Sequence, residues 1–270
     1  MSEQKMADGA PAAEQLGWRL GVQAYTFNRF SFFEAVDKTA SLGLNVIEAY
    51  PGQALTAEMP DVIFNHESPQ EIRDEVKQKL AAAGLQLACY GVVRLGEDEA
   101  ACRAVFDFAK DMGVETVVSE PENDALKLVD ELAEEYDLTV AIHNHPKPST
   151  YWSPDTVREA CEGLSPRVGA CADTGHWMRS GLDPVESIRK LRGRIISLHM
   201  KDLNTTGPDA HDVPWGTGAG KVDDVLAELL DQGVEAVFSI EYEYHWETSL
   251  PEVAECVRYM NEAAKRLAGT

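Results

Sequence analysis

The sequence predicts an α/β fold, a single (β/α)8 barrel, on three observations. Eight short runs of β-branched and small apolar residues alternate along the chain with longer amphipathic stretches. No second composition regime interrupts the eight βα units, which favours a closed barrel over an open doubly wound sheet. Four runs in the second half, TVAIHNH (Thr139 to His145), VGACAD (Val168 to Asp173), IISLH (Ile195 to His199) and VFSIE (Val237 to Glu241), end in His, Asp, His and Glu. Strands of a parallel sheet are buried on both faces and read as apolar runs, while polar groups gather at the rim where barrels keep their chemistry.

In chain order the strands are expected at Leu20 to Tyr25, Asn45 to Ala49, Gln86 to Gly91 and Glu115 to Ser119, then at Thr139 to His143, Val168 to Ala172, Ile195 to His199 and Ala236 to Ile240. Apolar residues at helical spacing place helices at Phe32 to Leu42, Pro69 to Ala83, Glu97 to Met112 and Asp124 to Tyr136, and again at Pro154 to Glu162, Pro184 to Leu191, Val222 to Gln232 and Pro251 to Leu267. Ser68 and Ser153 precede prolines suited to a first helical turn, and Gly43, Gly84, Gly113 and Gly233 follow last turns, where a left-handed residue ends a helix.

The catalytic domain is therefore expected to span 18–270, with 1–17 as a mobile tail, because MSEQKMADGAPAAEQLG is polar and lacks the apolar core of a signal peptide. Lys and Arg number 24 against 46 Asp and Glu, a net charge of -22 that repels nucleic acid and anionic membrane. Five cysteines without CxxC spacing point to reduced thiols and a cytoplasmic location. A small-molecule carbohydrate is the expected partner, and an oligomer of identical chains is compatible with the sequence.

The strand ends carry the candidate site. His143 and His145 lie two residues apart, so both face the pocket if the strand persists; His143 is the expected metal ligand, and His145 a ligand, a catalytic group or a loop cap. Asp173 opens DTGHW as a ligand, and His176 is either a substrate-facing acid or base or a neighbour packed on Trp177. His199 and Lys201 repeat the two-residue spacing; Lys201 suits a developing oxyanion, or else pairs with Asp202. Glu241 combines ligand and base, with Glu243 behind it. Nitrogen and oxygen donors together suit Mn²⁺, Co²⁺, Zn²⁺ or Fe²⁺ better than Mg²⁺.

Glu48 and Glu120 end two further strands and could bind sugar hydroxyls or tie down loops. Tyr25, Phe27, Tyr90, Trp152 and Trp177 fall near strand ends, where aromatic rings stack on sugars or fill the core. The loop Asp209 to Asp224 is Gly-rich but lacks P-loop spacing, so it either cradles phosphate or only turns the chain. His211 or Asp209 in that loop is placed near the metal, with His211 a substrate-binding candidate.

From LGVQAYTF (Leu20 to Phe27) through VIEAYPG to IEYEY, and most sharply in DTGHW and SLHMKD, the chain resembles the xylose-isomerase-like barrels of sugar isomerases, epimerases and inosose dehydratase. These are distantly related to endonuclease IV. The resemblance implies a divalent metal on the fifth-strand residue, Asp173, His199 and Glu241, with His176 and Lys201 near substrate. In the ketose epimerases the fifth-strand ligand is a glutamate that acts as a second base; here His143 stands there, as in the inosose dehydratase branch. That departure weakens the two-glutamate epimerase mechanism and favours a dehydratase or another β-elimination more than the family pattern would; the expected function is still a metal-dependent isomerase or epimerase of a keto-sugar or sugar phosphate, working by proton abstraction beside a carbonyl. Dehydration or elimination from a keto-glycoside is the alternative, and a non-catalytic sugar-binding barrel competes with both. DNA repair is disfavoured, since Glu48 and Tyr90 replace histidines that the repair enzymes need and the net charge of -22 has the wrong sign.

Overall fold

A computed structural model describes residues 5–269. The strands are β1 (Trp18–Gln23), β2 (Val46–Ala49), β3 (Gln53–Thr56), β4 (Met59–Phe64), β5 (Gln86–Val93), β6 (Thr116–Ser119), β7 (Thr139–His143), β8 (Val168–Asp173), β9 (Ile195–Met200) and β10 (Ala236–Ile240). The helices are α1 (Pro11–Glu14), α2 (Phe32–Ser41), α3 (Gln70–Ala83), α4 (Glu99–Met112), α5 (Leu126–Tyr136), α6 (Pro154–Ala160), α7 (Thr174–Arg179), α8 (Pro184–Lys190), α9 (Val222–Asp231) and α10 (Leu250–Ala268). The parallel strands close a barrel in the order β1-β10-β9-β8-β7-β6-β5-β2, the (β/α)8 architecture expected from the sequence.

Two additions interrupt the simple alternation. β3 and β4 form an antiparallel hairpin after β2, and the short helix α7 starts directly at the end of β8. Helix punctuation follows the residues. Ser153 accepts from Thr156 N at the start of α6, whereas Ser68 lies one residue too early and Pro69 itself is the N-cap of α3. Gly84 and Gly113 end α3 and α4 in the left-handed region, at φ 69° and 73°.

Apolar side chains fill two spaces. The larger core lies between sheet and helices, and a smaller one inside the barrel joins Val46, Ala88, Cys89, Val118, Ala141, Cys171 and Val237. The segment expected as a tail is partly anchored. Residues 1–4 lie outside the described residues, but α1 packs on α10 and β1, Ala13 is fully buried, and Ala12 N donates to Asn261 Oδ1 at 3.0 Å. Its small alanines permit that close approach. All five cysteines are buried free thiols. Among the described residues no helix is long and apolar enough to cross a membrane.

Candidate metal centre

Side chains alternate along a strand, so every second residue of each barrel strand enters the lumen. Register then decides which of them meet. His199 lies opposite Asp173 on one side and Ser239 on the other, and His143 lies opposite Cys171, two residues before Asp173. The expected ligands His143, Asp173, His199 and Glu241 thereby converge, one ligand atom from each lying within 4.8 Å of the others, and all four are buried.

Their spacings fit a metal. His143 Nε2 stands 3.5 Å from Asp173 Oδ2, and His199 Nδ1 stands 3.2 Å from Glu241 Oε2. Ligand atoms around a tetrahedral ion with bonds near 2.1 Å lie about 3.4 Å apart. Both ring nitrogens of His143 and Nδ1 of His199 are buried without a hydrogen-bond partner, and a cation that takes one lone pair from each imidazole would relieve part of that cost. Charge points the same way: Asp173, Glu241, Glu243, Asp212 and Glu48 are five carboxylates, facing the two cations Lys201 and Arg179. Burial pushes Asp212 up to about 7 and, against burial, the neighbouring carboxylates raise His199 well above its ordinary value, so the excess is smaller than the formal three, but carboxylates still outnumber cations, and an excess of negative charge in a buried cluster favours a dication.

Lys201 is fully buried and bridges the cluster, with Nζ 2.6 Å from Asp173 Oδ2 and 2.5 Å from Glu241 Oε2. It does not pair with Asp202. Burial alone would lower the ammonium's proton affinity, but Asp173 and Glu241 outweigh it and keep Lys201 charged. Burial would likewise raise both carboxylates, yet the Lys201 ammonium holds Asp173, and Lys201 and His199 hold Glu241, well below the usual carboxylate range. Both therefore stay ionised as ligands require.

The DTGHW turn orients two residues at once. Asp173 Oδ1 caps α7 by accepting from His176 N at 2.6 Å, which leaves Oδ2 for the cluster. Asn144, between the two histidines, clamps the Asp173 backbone by donating to its carbonyl at 3.0 Å and accepting from its amide at 2.9 Å. The His176 ring stands 5.6 Å from His143 and 5.1 Å from His145, while Trp177 is buried in the main core. Burial holds its pKa well below the ordinary value.

His145 pairs with Glu120 through both Nδ1 and its backbone amide, at 2.7 and 3.1 Å, and its side chain is 45% exposed. Burial lowers its pKa but the Glu120 hydrogen bond outweighs that, so the net direction is upward. The pair walls a cavity of about 500 Å³ that Val93, Arg94, Pro121 and Tyr151 also line.

Three expected substrate contacts are corrected by burial. Glu48 is fully buried and accepts from His199 Nε2 at 2.9 Å, Gln23 Nε2 at 3.0 Å and Ser239 Oγ at 2.6 Å. It supports His199 from behind, because the barrel's stagger puts the end of β2 beneath the rim. Tyr90 is fully buried against Phe108, with its hydroxyl taken by His66 N and Nδ1, and Trp177 is fully buried in the main core. Phe27 is core as well.

Tyr25 remains at the surface at 38% exposure, and Tyr50 and Trp246 stand edge-on to it at 5.1 and 5.7 Å. His211 stacks on Tyr244 at 4.3 Å. The Gly-rich loop is no open phosphate cradle: the amides of Gly216, Gly218 and Gly220 donate to the Asp202 carboxylate at 2.9, 2.9 and 2.8 Å. A Cβ at Gly218 would meet Asp202 Oδ1 at 2.4 Å, so the loop is wound around an anion of its own.

Sequence reasoning missed Arg179. Its guanidinium joins Glu243, Asp212 Oδ2 at 2.9 Å and His176 Nδ1 at 3.1 Å. The one available signal was its place three residues after His176, a spacing that pairs side chains once DTGHWMR is helical.

Residues 36–262 match the family described as xylose isomerase-like TIM barrel. Among solved structures, a protein of uncharacterised function from Parabacteroides distasonis ATCC 8503 is 32% identical with a TM-score of 0.74, over 91% of this chain and 99% of that one. A D-tagatose 3-epimerase-like protein is 17% identical with a TM-score of 0.72, over 93% and 98% of the two chains. An IolI protein with a bound zinc atom is 15% identical with a TM-score of 0.68, over 92% and 99%. At these lower identities the likeness shows a shared fold. No curated protein matches the chain.

Proposed function

The chain belongs to the xylose isomerase-like TIM barrel family, and on that footing we propose a divalent-metal-dependent enzyme that isomerises or epimerises a keto-sugar or sugar phosphate. The observation that carries this reading is the buried cluster His143, Asp173, His199 and Glu241 at the carboxyl ends of the barrel strands. A divalent ion held there would supply Lewis-acid polarisation of a substrate carbonyl. Glu241, kept ionised, takes the proton from the adjacent carbon. Lys201 now clamps Asp173 and Glu241. Turning towards the developing enolate oxygen, it frees Glu241 to act as a stronger base and stabilises the negative charge. His145, with its proton held by Glu120, returns a proton at the open side of the site, and Tyr25 with Tyr50 and Trp246 offers an apolar edge for a sugar ring.

A second reading, a lyase, is favoured by one feature. His143 occupies the fifth-strand position and the His145–Glu120 pair presents an acid, so the site offers one carboxylate base and one imidazolium. That asymmetry suits expulsion of a β-leaving group as well as it suits proton return. Metal-loaded protein incubated in D₂O with ketoses, inososes and keto-glycosides, read by NMR, tests both: exchange with a rearranged sugar supports isomerisation, exchange with loss of water or alcohol supports elimination, and no exchange with any of them refutes the enzyme reading.

A further inference from the structure

We propose that Arg179 fixes His176 as the neutral tautomer protonated on Nε2, so that His176 serves as a hydrogen-bond donor to a substrate oxygen and not as the proton acceptor. The argument rests on what each group can donate. A guanidinium has five N–H donors and no acceptor. Arg179 Nη1 lies 3.1 Å from His176 Nδ1, so Nδ1 must present its lone pair and the ring proton must sit on Nε2.

The guanidinium has little freedom to do otherwise. Nη1 also donates to Glu243, Nη2 donates to Asp212 Oδ2 at 2.9 Å, and Nε reaches the Ala210 carbonyl at 3.4 Å. Its side chain is only 13% exposed. The imidazole is held equally firmly, since its backbone amide is tied to Asp173 Oδ1 at 2.6 Å and the ring is 5% exposed. Nε2 stands 3.6 Å from Asp173 Oδ2, beyond hydrogen-bond reach, so its proton is free for an incoming oxygen. A neutral imidazole aimed at an oxygen that gains charge is an electrophile of the oxyanion-hole kind. Arg179 is then a positioning residue, and proton abstraction falls to Glu241.

The tautomer follows from geometry alone, whereas the donor role rests on the functional reading above; the test separates them. Protein labelled with ¹⁵N in its histidines is examined metal-free and without substrate, by long-range ¹H–¹⁵N correlation, with His176 assigned from the signals lost in His176→Gln. The expected pattern is a pyridine-type Nδ1 and a pyrrole-type Nε2. A pyrrole-type Nδ1 in the wild type overturns the proposal whatever the enzyme does.

In Arg179→Met, Nδ1 should lose its pyridine-type signal, because the donor that blocks its protonation is gone while Glu243 remains beside it. Arg179→Lys should largely retain it. An unchanged Nδ1 in Arg179→Met would show that Arg179 does not set the tautomer. Should that variant fail to fold, the wild-type and Arg179→Lys spectra still decide. On an exchanging substrate, Arg179→Met should lower kcat by about 10² or more with a smaller change in KM, the scale of one lost oxyanion donor; wild-type kcat would refute the donor role and leave the tautomer standing.

Discussion

Glu48→Gln tests whether the metal centre is tuned from behind. The buried carboxylate holds the His199 Nε2 proton at 2.9 Å and accepts from Gln23 at 3.0 Å and Ser239 at 2.6 Å. That bond leaves His199 Nδ1 as the nitrogen facing Glu241. Removing the whole side chain would be too blunt. Gln23 keeps its second acceptor at Gly91 O, but His199 Nε2 and Ser239 Oγ would both be orphaned, at about 1–3 kcal/mol each, or about 2–6 kcal/mol of a total stability of about 5–15 kcal/mol. The amide keeps an oxygen towards His199 and Gln23, and the Ser239 hydroxyl can rotate to accept from the new NH₂. Stability should change by only about 1 kcal/mol. The charge that raises the imidazole's basicity is lost, and such outer-shell changes weaken metal binding about 10–100-fold, or about 1.4–2.7 kcal/mol. Chelator competition on wild type and Glu48→Gln, with thermal unfolding of both apo proteins, measures the two effects. Unchanged metal affinity in Glu48→Gln, with Asp173→Ala losing the metal, would refute the supporting role.

Glu241→Gln should retain part of the metal affinity while substrate C–H exchange falls about 10²-fold or more; exchange at the wild-type rate would move the base elsewhere. His145 has a raised pKa, so its imidazolium persists above the ordinary His value of about 6.5. A step that uses it as an acid is then at full rate below that pH and declines as pH rises through the folded value, and the pH-rate profile of His145→Asn should lack that limb. Any stability from the His145–Glu120 pair is lost as pH rises through the raised His145 value, and lost again in acid as pH falls through the lowered Glu120 value. At Gly175 an added Cβ would lie 2.7 Å from Lys201 Cβ and Cδ, so Gly175→Ala should displace the ammonium, cost about 1–3 kcal/mol in urea unfolding and reduce exchange. Wild-type values for both would show that Lys201 need not sit where it does.

Much of the barrel was legible because its strands are buried on both faces and its helices amphipathic, two periods that a single sequence displays directly. The hairpin β3–β4 was not: GQALTAEMPDVIF holds a proline and alternates weakly, and Met59 to Asp61 are exposed. The clustered quartet His143, Asp173, His199 and Glu241 was readable from strand ends alone, since each residue closes its own apolar run. Depth was not. Glu48 sits at the same kind of strand end as Glu120, and its register against β1 and β5 does not show in the sequence; Tyr90 turns outward onto Phe108, and Trp177, on α7, packs into the main core. Arg179 escaped because α7 is too short to show a helical period, yet it pairs with His176 only through that helix.

Metal stoichiometry tests the central claim most directly. Purified apo protein is titrated with Mn²⁺, Co²⁺, Zn²⁺, Fe²⁺ and Mg²⁺, and bound ion is counted in the wild type, Asp173→Ala and His199→Ala, with unfolding cooperativity recorded for each. The account predicts one tightly held ion per wild-type chain and its loss from both variants while they still unfold cooperatively, because the barrel core lies below the cluster. Full occupancy in both variants, or no ion held by the wild type, would contradict it.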